Sequence, residues 1–182
     1  MAEEDIADAE EMEDERLDRS FTARLILADD DIKDWYSQIK NAALSFRGAK
    51  ASMAWKQEKL RCGRKQIGKL LIRGKVLCLY LNLTMDDIKD CRTNYRVEDM
   101  SGKAINAATP LMYRIKNPLR VRHAIELIDM VGEKLGLVKA KRFQPKDYAS
   151  DFASKTEEEL IECGLIRTAP QTHYDTFTPA KE

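Results

Sequence analysis

GRKQIGKLLIRGKVLCLYLNL, Gly63 to Leu83, is the stretch on which the fold turns. Its second half, Val76 to Leu83, is apolar on both faces, the pattern of a central strand covered from either side. The first half, Ile67 to Ile72, is compatible with a strand, and Arg73, Gly74 and Lys75 separate the two runs as a tight hairpin turn would. Gly63 marks another turn at the upstream end. The same stretch carries Arg64, Lys65, Lys69, Arg73 and Lys75, so the predicted structural centre is also strongly basic.

Upstream, Met53 and Trp55 alternate with Ser52, Ala54 and Lys56, and Leu60 and Cys62 resume the alternation after a polar interruption. Residues 53–83 therefore read as a three-stranded antiparallel meander. Asp29 to Asp31 supply a helix start, since carboxylates there accept free backbone N–H groups and favour the positive end of the helix dipole. Ile32, Trp35, Tyr36, Ile39, Ala43 and Phe46 follow at helical spacing, predicting an amphipathic helix over about 30–46 that ends near Gly48. Before it, Phe21, Ala23, Leu25 and Leu27 alternate with Thr22, Arg24 and Ile26, which reads as a first strand or an extended lead-in.

Downstream, Thr84 and Asp87 have capping-box spacing ahead of a very short helix. Tyr95 to Met100 predicts a further strand, and Leu111, Tyr113 and Ile115 predict the last clear one. Asn117 followed by Pro118 opens a second long helix, because proline at the first helical position loses no hydrogen bond. Val121, Ala124, Ile125, Ile128, Val131 and Leu135 form its apolar stripe over about 118–135, and Gly136 is placed to cap it. The expected class is α+β: an antiparallel sheet of about four to six strands packed by two main helices.

At 182 residues, a body of roughly 120 could bury about two thirds of its unfolded surface, enough for one core. Residues 1–18 hold ten acidic side chains against Arg16, and read as a disordered acidic tail. Residues 19–138 are expected to be the single domain. Residues 139–182 begin with a basic linker, KAKRFQPK, continue to a short helix at about 156–163 capped by Thr156, and end in a mobile tail. That short helix reads as folding back onto its own domain, with docking on a partner as the alternative.

RSFTARL at Arg19, WYSQIKN at Trp35, GRK at Gly63, GKVLCLYLNL at Gly74 and PLMYRIKN at Pro110 together resemble an uncharacterised bacterial domain. It recurs, alone or in tandem, in proteins without assigned activity. More distantly the layout is similar to YdhG-like, YjbR-like and TfoX N-terminal domains, in which a helix precedes an antiparallel sheet and a second helix returns across it. The resemblance covers roughly Arg19 to Leu137 and rests on framework positions. It implies the fold, and brings no catalytic residues; some distant relatives have been proposed to bind DNA or partner proteins.

The net charge is zero with 34% charged residues, so bulk charge favours no ligand class; the distribution does. Arg47 to Lys75 contains ten basic side chains and one acid, Glu58. Lys56, Lys59, Arg61, Arg64, Lys65, Lys69, Arg73 and Lys75 fall on neighbouring strands and turns and are the candidate binding surface. Such a surface would attract phosphates by counterion release, with Trp55 as a stacking platform unless the strand alternation takes it into the core. The acidic tail would then be a competing polyanion. Charged residues on sheet edges also discourage aggregation, which is the plainer use of the same side chains.

Other chemistries find less. His123 and Cys91 are not joined by any spacing that nucleophilic catalysis requires, and no Walker, GxGxxG, HExxH or GxSxG motif is present. Cys62, Cys78, Cys91 and Cys163 lie far apart and read as reduced thiols rather than zinc ligands. The longest apolar run, Val76 to Leu81, is six residues against the roughly 20 that span a bilayer, and no secretory signal opens the chain. The expectation is a cytoplasmic, non-enzymatic module without cofactor or membrane insertion. A protein partner is expected by elimination, and nucleic acid through strands 56–75 is the alternative.

Overall fold

The computed structural model describes residues 17–168. The chain is α+β, with five α-helices, a six-stranded antiparallel sheet and a two-stranded one among these residues. Its hairpin centre forms where glycine permits it: Gly63 and Gly74 take φ of +59° and +57°, a left-handed backbone that costs other residues a steric penalty. These turns separate β3 (Glu58–Cys62), β4 (Lys65–Arg73) and β5 (Val76–Leu81). Strand β2 (Ala49–Met53) pairs outside β3. On the far side of β5 lie β7 (Leu111–Ile115) and then β6 (Val97–Asp99), giving the order β2-β3-β4-β5-β7-β6.

Helix α1 spans Phe21–Leu27, α2 Asp30–Leu44, α3 Met85–Ile88, α4 Pro118–Leu135 and α5 Glu157–Glu162. The two long helices, α2 and α4, cover one face of the sheet. Ile32, Tyr36, Ile39 and Ala43 from α2 and Val121, Ala124, Leu127, Ile128 and Val131 from α4 share a core with Leu70, Leu77, Leu79, Leu81, Tyr113 and Ile115. Helix α4 starts where sequence places it, with the Asn117 side chain accepting from the Arg120 N–H and Pro118 in the first turn, and it stops at left-handed Gly136. Thr84 and Asp87 form the expected capping box on α3, and Thr156 and Glu159 form a second one on α5.

The lead-in differs from expectation. Phe21–Leu27 is a helix, not a strand, and Ser20 caps it by accepting the Ala23 N–H at 3.0 Å. Phe21 and Leu25 face the main core, while Ala23 and Ile26 face a satellite core with Leu160 and Ile166. With apolar contacts on two sides the helix has no polar face, so its period is hidden.

The described chain begins inside the stretch read as an acidic tail: Leu17 and Asp18 belong to β1 (Leu17–Arg19), paired with β8 (Ile166–Thr168). Expectations for residues 1–16 and 169–182 lie outside the described residues. Between α4 and α5 the chain runs along α2. Asn41 exchanges two hydrogen bonds with the Lys146 backbone, Ser37 Oγ accepts from the Tyr148 N–H, and the Phe152 ring meets Tyr36 edge-on. Residues 157–168 then pack on α1, with Leu160 fully buried and Arg19 bridged to Glu157 at 2.7 Å.

Candidate functional site

Alternation along a strand assigns each side chain to one face or the other. With Leu77, Leu79 and Leu81 toward the helices, Cys78 and Tyr80 face the opposite way, and the pairing registers carry that assignment across the sheet. The open face, the one the two long helices leave uncovered, receives Lys50 and Ser52 from β2, Lys59 and Arg61 from β3, Lys69, Leu71 and Arg73 from β4, Met112 and Arg114 from β7, and Glu98 from β6. Its middle is closed by the segment after β6: Met100 packs on a small second core of Cys78, Tyr80 and Met112, and Lys69 donates to Ile105 O and Asn106 Oδ1, so the exposed cations Lys50, Arg61 and Arg73 stand around a covered centre. Six cations therefore share a face with one carboxylate.

A register irregularity decides which basic residues of β4 join them. Leu60 pairs with Gly68 but Arg61 pairs with Gln66, so β4 carries an extra residue at Ile67. Ile67 and Gly68 both turn to the helix side, and the bulge puts Lys69, Leu71 and Arg73 on the open face while Lys65 is on the other. Gly68 is required here, because a Cβ would stand 2.5 Å from the Tyr80 carbonyl oxygen.

Two cross-strand pairs on the open face are cation against cation: Lys50 opposite Arg61, and Lys59 opposite Lys69. Like charges directly opposite destabilise a sheet. Among the described residues Lys50, Lys59, Arg61 and Arg73 make no ion pair. Lys69 is only 4% exposed; its ammonium donates to Asn106 Oδ1 at 2.9 Å and lies 4.8 Å from the centre of the Tyr80 ring. Burial pushes the Lys69 pKa down, and the charges of Lys59 and Arg73 push it further the same way. Arg114 alone is neutralised, by Glu98 Oε1 2.9 Å from its Nε.

Of the eight predicted surface residues, four are thus brought together: Lys59, Arg61, Lys69 and Arg73. The other four are not on this face or are engaged elsewhere. Lys56 sits between β2 and β3 and pairs with Asp18. Lys65 donates to the Leu135 carbonyl at 2.6 Å and so caps the C-terminal end of α4. Lys75 lines a separate cavity of about 300 Å³ with Arg19, Arg24 and Ile72, and Arg64 is exposed at the tip of the β3–β4 turn. Lys50 and Arg114 complete the face and were missed; both stand at polar positions of alternating stretches, Ala49/Ala51 and Tyr113/Ile115, but their face follows only from strand order.

Trp55 is neither a core strand residue nor a free stacking platform. It lies in the β2–β3 turn, donates from Nε1 to Asp18 Oδ2 at 2.9 Å, and is covered by the Arg167 guanidinium 3.8 Å from its ring centre. His123 Nδ1 is 3.2 Å from the Tyr113 hydroxyl, and its ring meets Tyr95 edge-on. The Cys91 thiol lies beside the Met130 sulfur at 3.9 Å. All four cysteines are free thiols, and among the described residues no group of three His, Cys, Asp or Glu side chains is arranged to hold a metal ion. No described helix is long and apolar enough to cross a membrane.

Compared with family models, curated proteins and solved structures, the chain matches none.

Proposed function

We propose that the chain is a non-enzymatic binding module whose open sheet face takes a polyanion, specifically the phosphate backbone of a nucleic acid. The observation that carries this reading is the pair of cation-on-cation cross-strand contacts, Lys50 with Arg61 and Lys59 with Lys69, on a face with a single carboxylate. A sheet assembled for stability alone would place opposite charges across those positions. Phosphates arriving there relieve the repulsion and release condensed counterions. The face has no exposed aromatic side chain, so recognition is by charge and spacing rather than by base stacking.

A cytoplasmic setting belongs to the same proposal. A protein partner for this face would have to be an acidic one, since none of the exposed large apolar side chains among the described residues, Leu27, Met53, Met85, Ile105, Leu119, Val138 and Ile161, is one of the side chains that the strand registers place on it. Residues 1–16 contribute nine acidic side chains joined to the domain at Leu17, which makes them a tethered competitor for the face. The test is binding of a fluorescein-labelled 20-nucleotide single strand, followed by anisotropy, to the full chain and to the chain lacking residues 1–16. The reading requires saturable binding at low salt, tightened by the deletion and weakened by Lys59→Ala, Arg61→Ala. Absence of binding by both chains, or preference for an acidic polypeptide, overturns it.

A further inference from the structure

We propose that Arg73, Arg114 and the hydroxyl of Tyr80 form a phosphate subsite at the margin of the covered centre of that sheet face. The inference rests on reading that face as a polyanion surface, and it names the place where one phosphate group is held. Two buried side-chain polar atoms among the described residues lack a hydrogen-bond partner, Tyr80 Oη and Asp129 Oδ1. Asp129 Oδ1 has the Lys139 ammonium 2.7 Å away, so its charge is balanced. The Tyr80 hydroxyl has nothing, although Tyr80 is 1% exposed. A buried hydroxyl without a partner costs stability, and such groups are retained where something else uses them.

What surrounds that hydroxyl is cationic. Tyr80 stands opposite Lys69 on one side and Met112 on the other, with Arg114 as its diagonal neighbour on β7. Arg73, two rungs along β4, reaches back until its guanidinium is 5.8 Å from the centre of the Tyr80 ring. Glu98 holds Arg114 from its Nε side, which leaves the two terminal nitrogens without hydrogen-bond partners; the Arg73 guanidinium has none at all among the described residues. Between the two arginines lies Cys78, whose thiol is kept neutral because burial raises its pKa, so no negative charge competes. Burial likewise raises the Tyr80 phenol, which therefore stays a donor well above neutral pH.

Two guanidinium forks and a phenolic O–H are a donor set for phosphate oxygens, which accept bidentate arginine contacts. Arg73 is exposed and, among the described residues, held by no hydrogen bond, so turning its fork onto a phosphate needs only side-chain rotation. Lys69 adds a fixed positive charge under the same point. A carboxylate offers fewer acceptor oxygens and less charge for three donors, which favours phosphate.

The discriminating variant is Tyr80→Phe, which removes only the unpartnered oxygen. It is expected to unfold at the same urea concentration as the parent or a slightly higher one, and to bind the labelled oligonucleotide about tenfold more weakly at low salt, the loss expected for one charge-assisted hydrogen bond. Combined with Arg73→Ala it should add much less than tenfold, since both act on one phosphate. A second arm titrates the parent with pyrophosphate and follows the arginine Nε–Hε resonances by NMR, with Arg73 and Arg114 expected to shift first.

Equal oligonucleotide affinity of parent and Tyr80→Phe, with no selective shift of Arg73 and Arg114, overturns the subsite and leaves the polyanion face standing. If the parent binds no oligonucleotide, the face reading falls; the subsite then survives on selective pyrophosphate shifts and falls without them. Equal sensitivity of polyglutamate binding to Tyr80→Phe overturns the assignment to phosphate.

Discussion

Replacing Lys59 by glutamate should stabilise the free protein while weakening its binding of polyanions. Lys59 stands directly opposite Lys69, whose ammonium is buried and whose pKa is held low by burial first, then by Lys59 and Arg73. A facing like-charge pair costs about 0.5 kcal/mol and a facing opposite pair gains about as much, so Lys59→Glu is expected to add about 1 kcal/mol. For a domain of this size that raises the melting temperature by about 2–4 °C. The sign with pH follows from the direction of the Lys69 shift. Its folded pKa lies below the ordinary 10.5, so the unfolded chain binds the proton more tightly, and stability rises with pH from the folded pKa up to that value. The glutamate should flatten this rise. Paired thermal melts at about 20 mM and 1 M salt are the assay: at 1 M the screening length falls to about 3 Å, so the advantage should shrink, but not to zero because the Lys69 ammonium is buried. A variant less stable than the parent at low salt, or equally stabilised at both salts, would refute the claim that facing repulsion is built into this sheet.

Other consequences follow from the interior. Glu58 is 2% exposed and accepts from the Tyr36 hydroxyl at 2.6 Å and the Lys40 ammonium at 2.7 Å, tying α2 to β3. Glu58→Ala leaves that ammonium largely buried and unpaired, and urea unfolding should report a loss of about 3–5 kcal/mol. Gly68→Ala pushes a methyl into the Tyr80 carbonyl and should cost about 1–3 kcal/mol, with the exchange of β4 and β5 amides accelerated first. Tyr95 donates to Glu126 Oε2 at 2.7 Å, and burial followed by that bond pushes its pKa up to about 12. Because the unfolded phenol ionises near 10 and the folded one does not, stability should fall between pH 10 and 12, and Tyr95→Phe should remove that part of the fall.

Much of the fold was legible because local chemistry dictates it. Gly63 and Gly74 turn the chain, Thr84 and Thr156 cap their helices, and Asn117, Pro118 and Gly136 bound α4. Phe21–Leu27 was not legible, since a helix buried between two cores has no polar stripe and its alternating residues imitate a strand. The site was half legible. Composition pointed to the right basic segment, but its side chains sort by register, and the bulge at Ile67 and Gly68 is set by packing against β3 and β5. Arg114 joins the face only because β7 pairs with β5, a partnership between strands thirty residues apart that no local pattern encodes. The role of Trp55 depended on Asp18 and Arg167, which arrive from opposite ends of the chain.

The central claim is that Lys50, Lys59, Arg61 and Arg73 hold phosphates on one sheet face, and the salt dependence of oligonucleotide binding tests it most directly. Four contacts on a single strand predict that log Kobs falls linearly with log salt concentration with a slope of about −3, since each contact contributes about 0.7. Replacing Lys59 and Arg61 with alanine together should bring the slope to about −1.5. A slope near zero in the parent, or one that the double variant leaves unchanged, would contradict the account.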